Sequence, residues 1–432
     1  MRTSLDGIAR AARRDRTMRF RSLYSFLNHV NFERAYWALN KNASAGVDKV
    51  SWEDYGENLQ ENLLSLEQKL RQKRYRARFV KRVMIPKDNG TYRPLSIPAI
   101  EDKIVQYVAK EILEALFEPL FKDFSYGYRP NRSARQSVEA LREEVNEKCT
   151  WIVEADIRSY FDTIDHEWLI KMLQQRIDDR AFIALIQKWL RAGILKPDGV
   201  VEYPERGSPQ GSLVSPVLSN IYLHYVLDKW FVEKMQTGSK GRMFLVRYAD
   251  DFVAGFQLHK DATRFKRELK HRLEKFGLTL AADKTRKIMF NRFNLERSEP
   301  FDFLGFTFTR VKSWRGRDAV RVRTSRKKVR KIARAFKEWC KKHRNKRIAW
   351  IMGMVRTKFI GLKNYFGIGG NAFGIKELWH LYRRTLYRWL NRRSERKSYN
   401  WRTFSRMLRF YNAGDYWYLK KYGLQMSFLH LL

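Results

Sequence analysis

Two apolar triplets, Phe244-Leu245-Val246 and Phe252-Val253-Ala254, bracket the stretch Arg247-Tyr248-Ala249-Asp250-Asp251. Short apolar runs joined across a polar turn read as a β-hairpin, which puts the adjacent carboxylates Asp250 and Asp251 at its bend. A carboxylate pair set between apolar strands is costly unless a cation or a basic group compensates it. The chain must therefore fold so that this bend faces a compensating charge. A further carboxylate fits the same place: apolar alternation over 151–155 marks a buried strand, and Asp156 follows it directly. The plainer alternative for Tyr248-Ala249-Asp250-Asp251 is a solvated acidic turn, and the flanking apolar runs argue against it.

Converging aspartates suit one kind of chemistry. Nucleotide addition requires a 3′-hydroxyl deprotonated near neutrality and a phosphorus centre whose growing charge is neutralised, and two Mg²⁺ ions ~3.5–4 Å apart do both. Mg²⁺ takes carboxylate oxygen and keeps several waters, so such a site needs two or three aspartates aimed at one spot. Asp156, Asp250 and Asp251 meet that need.

Around them the pattern is mixed. Residues 1–75 are mostly helical, with apolar positions at helical spacing over 23–39 and 59–70 and a polar turn at Asn42 to Asp48. Residues 79–97 are strand-like about Lys87-Asp88-Asn89-Gly90, whose Asn-Gly pair favours a tight hairpin turn. A helix is expected from Glu101 to Leu116, and another after Asp165, a suitable N-cap, carrying His166, Trp168, Leu169 and Met172. Residues 321–350 hold fourteen Lys or Arg against Glu338, with Val329, Ile332, Phe336 and Trp339 at helical spacing, which predicts a basic amphipathic helix. Residues 381–410 repeat the bias, ten basic residues against Glu395, interleaved with aromatics.

The whole chain, 432 residues, carries 87 Lys and Arg against 46 Asp and Glu, a formal net charge of +41. Such a field calls for a polyanionic partner or a membrane, with nucleic acid favoured over both a membrane and a merely soluble, highly charged surface. The basic helices are either a solvated face or a phosphate track. Because acids are nearly absent there, internal salt bridges do not explain the charge, and the track is favoured. Cys149 and Cys340 are far apart and lack Cys or His neighbours at ligand spacing, so neither a disulfide framework nor a zinc site is indicated, and a reducing cytoplasm fits. No apolar run reaches the ~20 residues of a membrane span. The Arg-rich first 21 residues lack the apolar stretch of a secretory signal and read as an arm that contacts nucleic acid.

With these features in place, the chain resembles the reverse transcriptases. WIVEADIRSYF at 151–161 is similar to that family's first catalytic block and YADD at 248–251 to its second. Gly207-Ser208-Pro209-Gln210-Gly211-Ser212 resembles the Pro-Gln-Gly segment that lines the nucleotide pocket. Finer matches point to the group II intron branch: Phe124-Ser125-Tyr126-Gly127-Tyr128-Arg129-Pro130-Asn131-Arg132-Ser133 resembles its finger segment, Asp302-Phe303-Leu304-Gly305-Phe306 the block closing its palm, and Ala45-Gly46-Val47-Asp48 its N-terminal extension. The resemblance is close over residues 40–312. It is looser from there to Tyr411, where Gly361-Leu362-Lys363-Asn364-Tyr365-Phe366 looks like the maturase thumb.

The resemblance implies an α+β right-hand polymerase with an antiparallel palm sheet. Residues 1–75 would be a helical extension, 76–312 fingers and palm, 313–410 a basic helical thumb or maturase domain, and 411–432 a tail. It implies an RNA-directed DNA polymerase with two Mg²⁺ ions, held by Asp156, Asp250, Asp251 and the carbonyl of Ile157. Lys87 and Arg93 would hold the incoming triphosphate, a task for a point charge and a planar fork, although both also fit as ordinary hairpin-surface charge. Phe161 would exclude a 2′-hydroxyl or serve as a core aromatic, and the two roles can coexist. Gln210 would contact nucleotide or template, and Lys284 would act near the departing pyrophosphate or stand as a surface lysine. Arg129, Arg132, Lys327, Lys328, Lys331, Arg383 and Arg384 would contact nucleic acid.

Implied partners are an RNA template, in the first place the chain's own intron RNA, a DNA primer or target, and deoxynucleoside triphosphates, in a bacterial cytoplasm or nucleoid. The Cys pairs of the endonuclease carried by many relatives are absent, so no DNA-cleaving domain is expected. Two alternatives share the sequence: a host-adopted enzyme acting in phage defence or repair, which a missing ribozyme around the gene would indicate, and a splicing scaffold without polymerase activity, which the intact aspartates oppose.

Overall fold

The computed structural model describes residues 4–86, 92–147, 149–291, 294–395 and 398–413. The fold is mixed α+β, and its described residues form two compact units: 4–133 with 149–289, and 134–147 with 290–413.

The first unit is built on a four-stranded sheet. Strand Trp151–Ala155 lies between Asp251–Phe256 and Arg286–Met289, with Met243–Tyr248 on the far side of Asp251–Phe256, and all neighbours are antiparallel. The hairpin strands Met243–Tyr248 and Asp251–Phe256 are buried along nearly their whole length, which is why they read as apolar runs on either side of the turn. Helix His259–Lys275 covers the sheet with Ala262, Phe265, Leu269 and Leu273, spaced at three to four residues. Helix Ser215–Leu223, with Pro216 in its first turn, is buried along nearly its whole length and continues into the wider turns His224–Asp228 and Phe231–Gln236.

Strands Val80–Pro86 and Tyr92–Ile97 pair antiparallel up to Pro86↔Tyr92, as the alternation over 79–97 requires. The connecting turn with Asn89-Gly90, and with it Lys87, lies outside the described residues. Val80–Pro86 also pairs parallel with Ile194–Leu195. Helix Ile100–Phe117 is the core of this side, burying Ile104, Val105, Val108, Ile112, Leu113 and Leu116, and helices Leu5–Arg14 and His29–Ala38 pack on it. The helical spacing over 23–39 does not make one helix. A short 3-10 turn, Leu23–Phe26, precedes His29–Ala38, because the Asn28 side chain accepts the Asn31 N–H at 3.1 Å and starts a new helix. Asp165 caps His166–Leu173 as its position suggests, accepting the Trp168 N–H at 3.0 Å.

The second unit has a three-stranded antiparallel sheet, Phe301–Phe303, Phe306–Lys312 and Asp318–Thr324, and helices Ala134–Asn146, Arg326–His343, Ile348–Phe366, Ala372–Leu390 and Trp401–Phe410. The single basic helix expected over 321–350 is corrected. Residues 321–324 finish a strand in which Val322 and Thr324 alternate inward, Ser325 caps the helix by accepting the Lys328 N–H at 3.3 Å, and another helix begins at Ile348. Where the resemblance implies a boundary at 312, the strands from Phe301 and the helix Ala134–Asn146 already group with the basic helices. Among the described residues no helix is long and apolar enough to cross a membrane.

Candidate active site

The hairpin closes through the pair Tyr248↔Asp251, leaving Ala249 and Asp250 as a two-residue turn. Ala249 has φ +57°, the left-handed conformation that such tight hairpin turns use. Asp251 is thus the first residue of its strand and not part of the bend. Trp151–Ala155 pairs with the same strand up to Ala155↔Phe252, and one further step in that register sets Asp156 abreast of Asp251. Residues directly opposite on neighbouring strands project from the same face with Cβ atoms ~5 Å apart. Turn and register therefore gather three carboxylates from two stretches of chain.

A buried network holds the turn. Arg247, without solvent exposure, donates from Nε to Asp228 Oδ1 at 2.8 Å and from Nη2 to Asp228 Oδ2 at 2.5 Å. Its Nη1 donates to Asn220 Oδ1 and to the carbonyl of Ala249, both at 3.0 Å. Asn220 in turn donates to the carbonyl of Gly127 at 2.6 Å. The backbone of Arg247 bonds that of Phe124 and Tyr126, each at 2.8 Å, so the 124–128 segment lies along the hairpin edge. Gly127 touches the turn so closely that a Cβ there would collide with the Ala249 amide.

The electrostatics follow from this crowding. Burial raises the Asp250 carboxyl above its ordinary value, and the charge of Asp156 raises it further. Asp251 is pushed up to about 7, first by the density of protein around it and then by Asp156, Asp250 and Glu154, although the residue itself is exposed to solvent, where water screens part of that effect. Lys284 answers part of this charge: its Nζ donates to Asp156 Oδ2 at 2.5 Å, and that bond holds the ammonium above its ordinary range. Glu154 is paired with Arg286 at 2.7 Å.

Among the described residues no three His, Cys, Asp or Glu side chains stand as a ready-made metal cage. The charge of Asp156 disfavours ionisation of Asp250 and Asp251, and one oxygen of Asp156 is engaged by an ammonium group. Three hard oxygen donors in mutual repulsion suit Mg²⁺, which takes carboxylate ligands and keeps waters of its own. The residues present fit the ion.

The other expected site residues fall into three groups. Near the carboxylates lie Ile157, buried, with its backbone bridged to Leu280, and Arg93, exposed on Tyr92–Ile97, whose charge lowers the Asp250 carboxyl against the other influences. Phe161 sits edge-on to Tyr128 at 6.3 Å. Gln210 accepts the Ser96 N–H through its carbonyl at 2.5 Å, which lays the Pro-Gln-Gly segment on the strand that carries Arg93.

Two arginines of the finger segment are placed differently from each other. Arg129 is corrected: its side chain is buried, with Nε and Nη2 on Glu118 and Nη1 on the carbonyls of Lys122 and Ser125 at 2.7 Å, so its guanidinium holds a loop and does not face a phosphate. Arg132 is half-exposed and pairs with Asp123 at 2.8 Å. The third group lies in the second unit, where Lys327, Lys331 and Arg384 are exposed and Lys328 and Arg383 half-buried.

Sequence reasoning missed Arg247, Asp228 and Asn220. The signal was available as one arginine directly before the Tyr-Ala-Asp-Asp stretch in a strand otherwise apolar, and an aspartate in the apolar run 213–232. It also gave Tyr128 no role. That residue has φ +55° and is 48% exposed, and its hydroxyl is raised by the protein packed around it and by the charge of Asp250.

The sequence that sets aspartates at a hairpin turn and at the end of the adjacent strand matches known proteins. The family model described as "Reverse transcriptase (RNA-dependent DNA polymerase)" matches residues 85–308, more than half of the chain. The chain belongs to the reverse transcriptase family. Protein YkfC of Escherichia coli is 33% identical over 321 residues, which cover 67% of this chain and 82% of that protein. Group II intron-encoded protein LtrA of Lactococcus lactis subsp. cremoris is 35% identical over 216 residues, 50% of this chain and 36% of that one. An uncharacterized 91 kDa protein in the cob intron of Schizosaccharomyces pombe is 43% identical over 157 residues, 36% of this chain and 19% of that one. The chain thus spans only part of these two intron-encoded relatives and most of YkfC.

Proposed function

We propose that this chain is an RNA-directed DNA polymerase of the group II intron type, which also binds the intron RNA that encodes it and assists its splicing and mobility. The observation that carries the proposal is the carboxylate cluster itself: Asp251, raised to about 7 by its surroundings and by Asp156, Asp250 and Glu154, lies beside a lysine that answers only one oxygen of Asp156. Such a cluster is stable in its ionised form only with further positive charge.

Asp156, Asp250 and Asp251, with the carbonyl of Ile157, would hold two Mg²⁺ ions, which when bound ease deprotonation of a primer 3′-hydroxyl and neutralise charge on the phosphorus under attack. The remaining tasks belong to the chain. Arg93 supplies a planar fork toward the triphosphate beside Asp250. Phe161, backed by Tyr128, closes the space beside the sugar. Gln210 and its loop, laid on the strand of Arg93, border the nucleotide, and Lys284 balances the charge of Asp156. In right-hand terms, fingers and palm come from the first unit and the thumb from the basic helices, which bind phosphates. The similarity to LtrA supports the intron reading.

The test is extension of a DNA primer on a defined RNA template with deoxynucleoside triphosphates and Mg²⁺. Full-length product is expected. Product on a DNA template alone would overturn the RNA-directed reading, and no product on either would overturn the polymerase.

A further inference from the structure

Where helix Arg326–His343 turns into helix Ile348–Phe366, three rings stack against Trp339, while His343 and Trp350 are tilted 35° to each other with centroids 5.5 Å apart. Phe336 and Trp339 stack with centroids 5.8 Å apart at 12°, Trp339 and His343 at 5.1 Å and 26°, and Trp339 and Trp350 at 6.1 Å and 20°. At its inner end the array is anchored, because Phe336 is buried and stacks on Tyr382 at 3.6 Å. His343 is fixed by a hydrogen bond from its Nδ1 to the Trp339 carbonyl at 2.8 Å. Exposure rises outward: Trp339 and His343 are half-buried, and Trp350 is 43% exposed. The exposed ring is thereby held in one orientation before anything binds it.

Charge surrounds this ring. Lys341, Lys342, Lys346 and Arg347 are all exposed on the same turn, the Lys358 ammonium lies 5.3 Å from the Trp339 ring, and Glu338 is the one acid in residues 326–358. A helix-packing role accounts for Phe336 and Trp339. It does not account for an indole left in water at the end of an ordered stack and ringed by exposed cations. A π-face beside backbone-binding charge is the chemistry of single-strand recognition, in which a base stacks and its phosphates meet Lys and Arg. A duplex offers such a site phosphates but no free base face.

We propose that Trp350, backed by Trp339 and His343, is a stacking platform for an unpaired nucleobase, with the neighbouring phosphates on Lys341, Lys342, Lys346 and Arg347. This deepens the function proposed above, resting on its reading that the basic helices bind nucleic acid, and adds a preference for unpaired over duplex segments at this turn.

The test measures binding of the native full-length chain, Trp350→Ala and Trp350→Phe to a fluorescein-labelled oligouridylate, an oligothymidylate of equal length and a blunt RNA duplex, all at one salt concentration. Trp350→Ala is expected to weaken both single strands roughly five-fold or more, the loss of one stacked base, and to leave the duplex unchanged. Trp350→Phe is expected to recover most of the loss, which a merely misfolded variant would not do. Weakening of the uridylate alone would restrict the platform to RNA and support it in that form. Equal loss on duplex and single strands, or no loss with Trp350→Ala while the native chain binds, would overturn the platform and leave the polymerase reading standing. A native chain that binds none of the probes would overturn the nucleic-acid reading of these helices as well.

Discussion

Arg247 and Asp228 form a two-pronged ion pair with neither side chain exposed to solvent, and the same guanidinium carries the carbonyl of Ala249 in the turn that presents Asp250. Removing one partner leaves an uncompensated buried charge, so Asp228→Ala is expected to destabilise the chain by ~3–5 kcal/mol, read from the urea midpoint. Replacing both with apolar residues, Arg247→Met with Asp228→Leu, is expected to restore most of that stability without restoring primer extension, because the Ala249 carbonyl has lost its donor. Recovery of both together would show that the pair serves stability alone.

The Asp251 carboxyl, ordinarily near 3.8, is pushed up to about 7 in the folded chain by its surroundings and by the neighbouring carboxylates. Between those values the folded state holds a proton that the unfolded state has released, so this contribution to stability is complete below about pH 4 and is lost as the pH rises to about 7. In chelator, Asp251→Asn is expected to melt above the native chain at about pH 8, the gap narrowing toward about pH 5. A gap independent of pH would show that Asp251 is not strained.

Phe161 and Tyr128 meet edge to face beside the carboxylates. Phe161→Ala is expected to raise ribonucleotide incorporation relative to deoxynucleotide by roughly 10- to 200-fold, the range open to a steric pocket. Unchanged sugar selection would make Phe161 a core residue only.

The two kinds of arginine should separate in binding experiments. Arg129 spends its guanidinium on Glu118 and two carbonyls, so Arg129→Ala is expected to lower stability and leave the salt dependence of RNA binding unchanged. Arg384 is exposed, and Arg384→Ala is expected to make that dependence shallower by up to about one unit of log–log slope. The reverse assignment would contradict the burial of Arg129.

What the sequence made legible follows from periodicity. The strand 151–155, the hairpin about 250 and the helix beginning at Ile100 carry strong alternation or helical spacing, and the paired aspartates stand out because carboxylates are rare between apolar runs. Less visible were features set by competition between local and distant bonds. Asn28 breaks a helix that spacing alone would continue, and residues 321–324 join a sheet whose partner strand must be known first. Arg129 looks like a phosphate ligand until Glu118, eleven residues away, is seen beneath it. The Arg247–Asp228 pair was hidden for a related reason, since a charge in an apolar run shows that a partner exists and not where it is.

The central claim is that Asp156, Asp250 and Asp251 act together on a bound nucleotide. It is tested most directly by primer extension on an RNA template with Mg²⁺, comparing the native chain with Asp156→Asn, Asp250→Ala and Asp251→Asn while RNA affinity is measured on the same preparations. Each substitution is expected to cut extension more than roughly hundred-fold, as loss of charge stabilisation worth several kcal/mol requires, with RNA affinity kept or increased. Extension at the native rate by any one of the three would contradict the account.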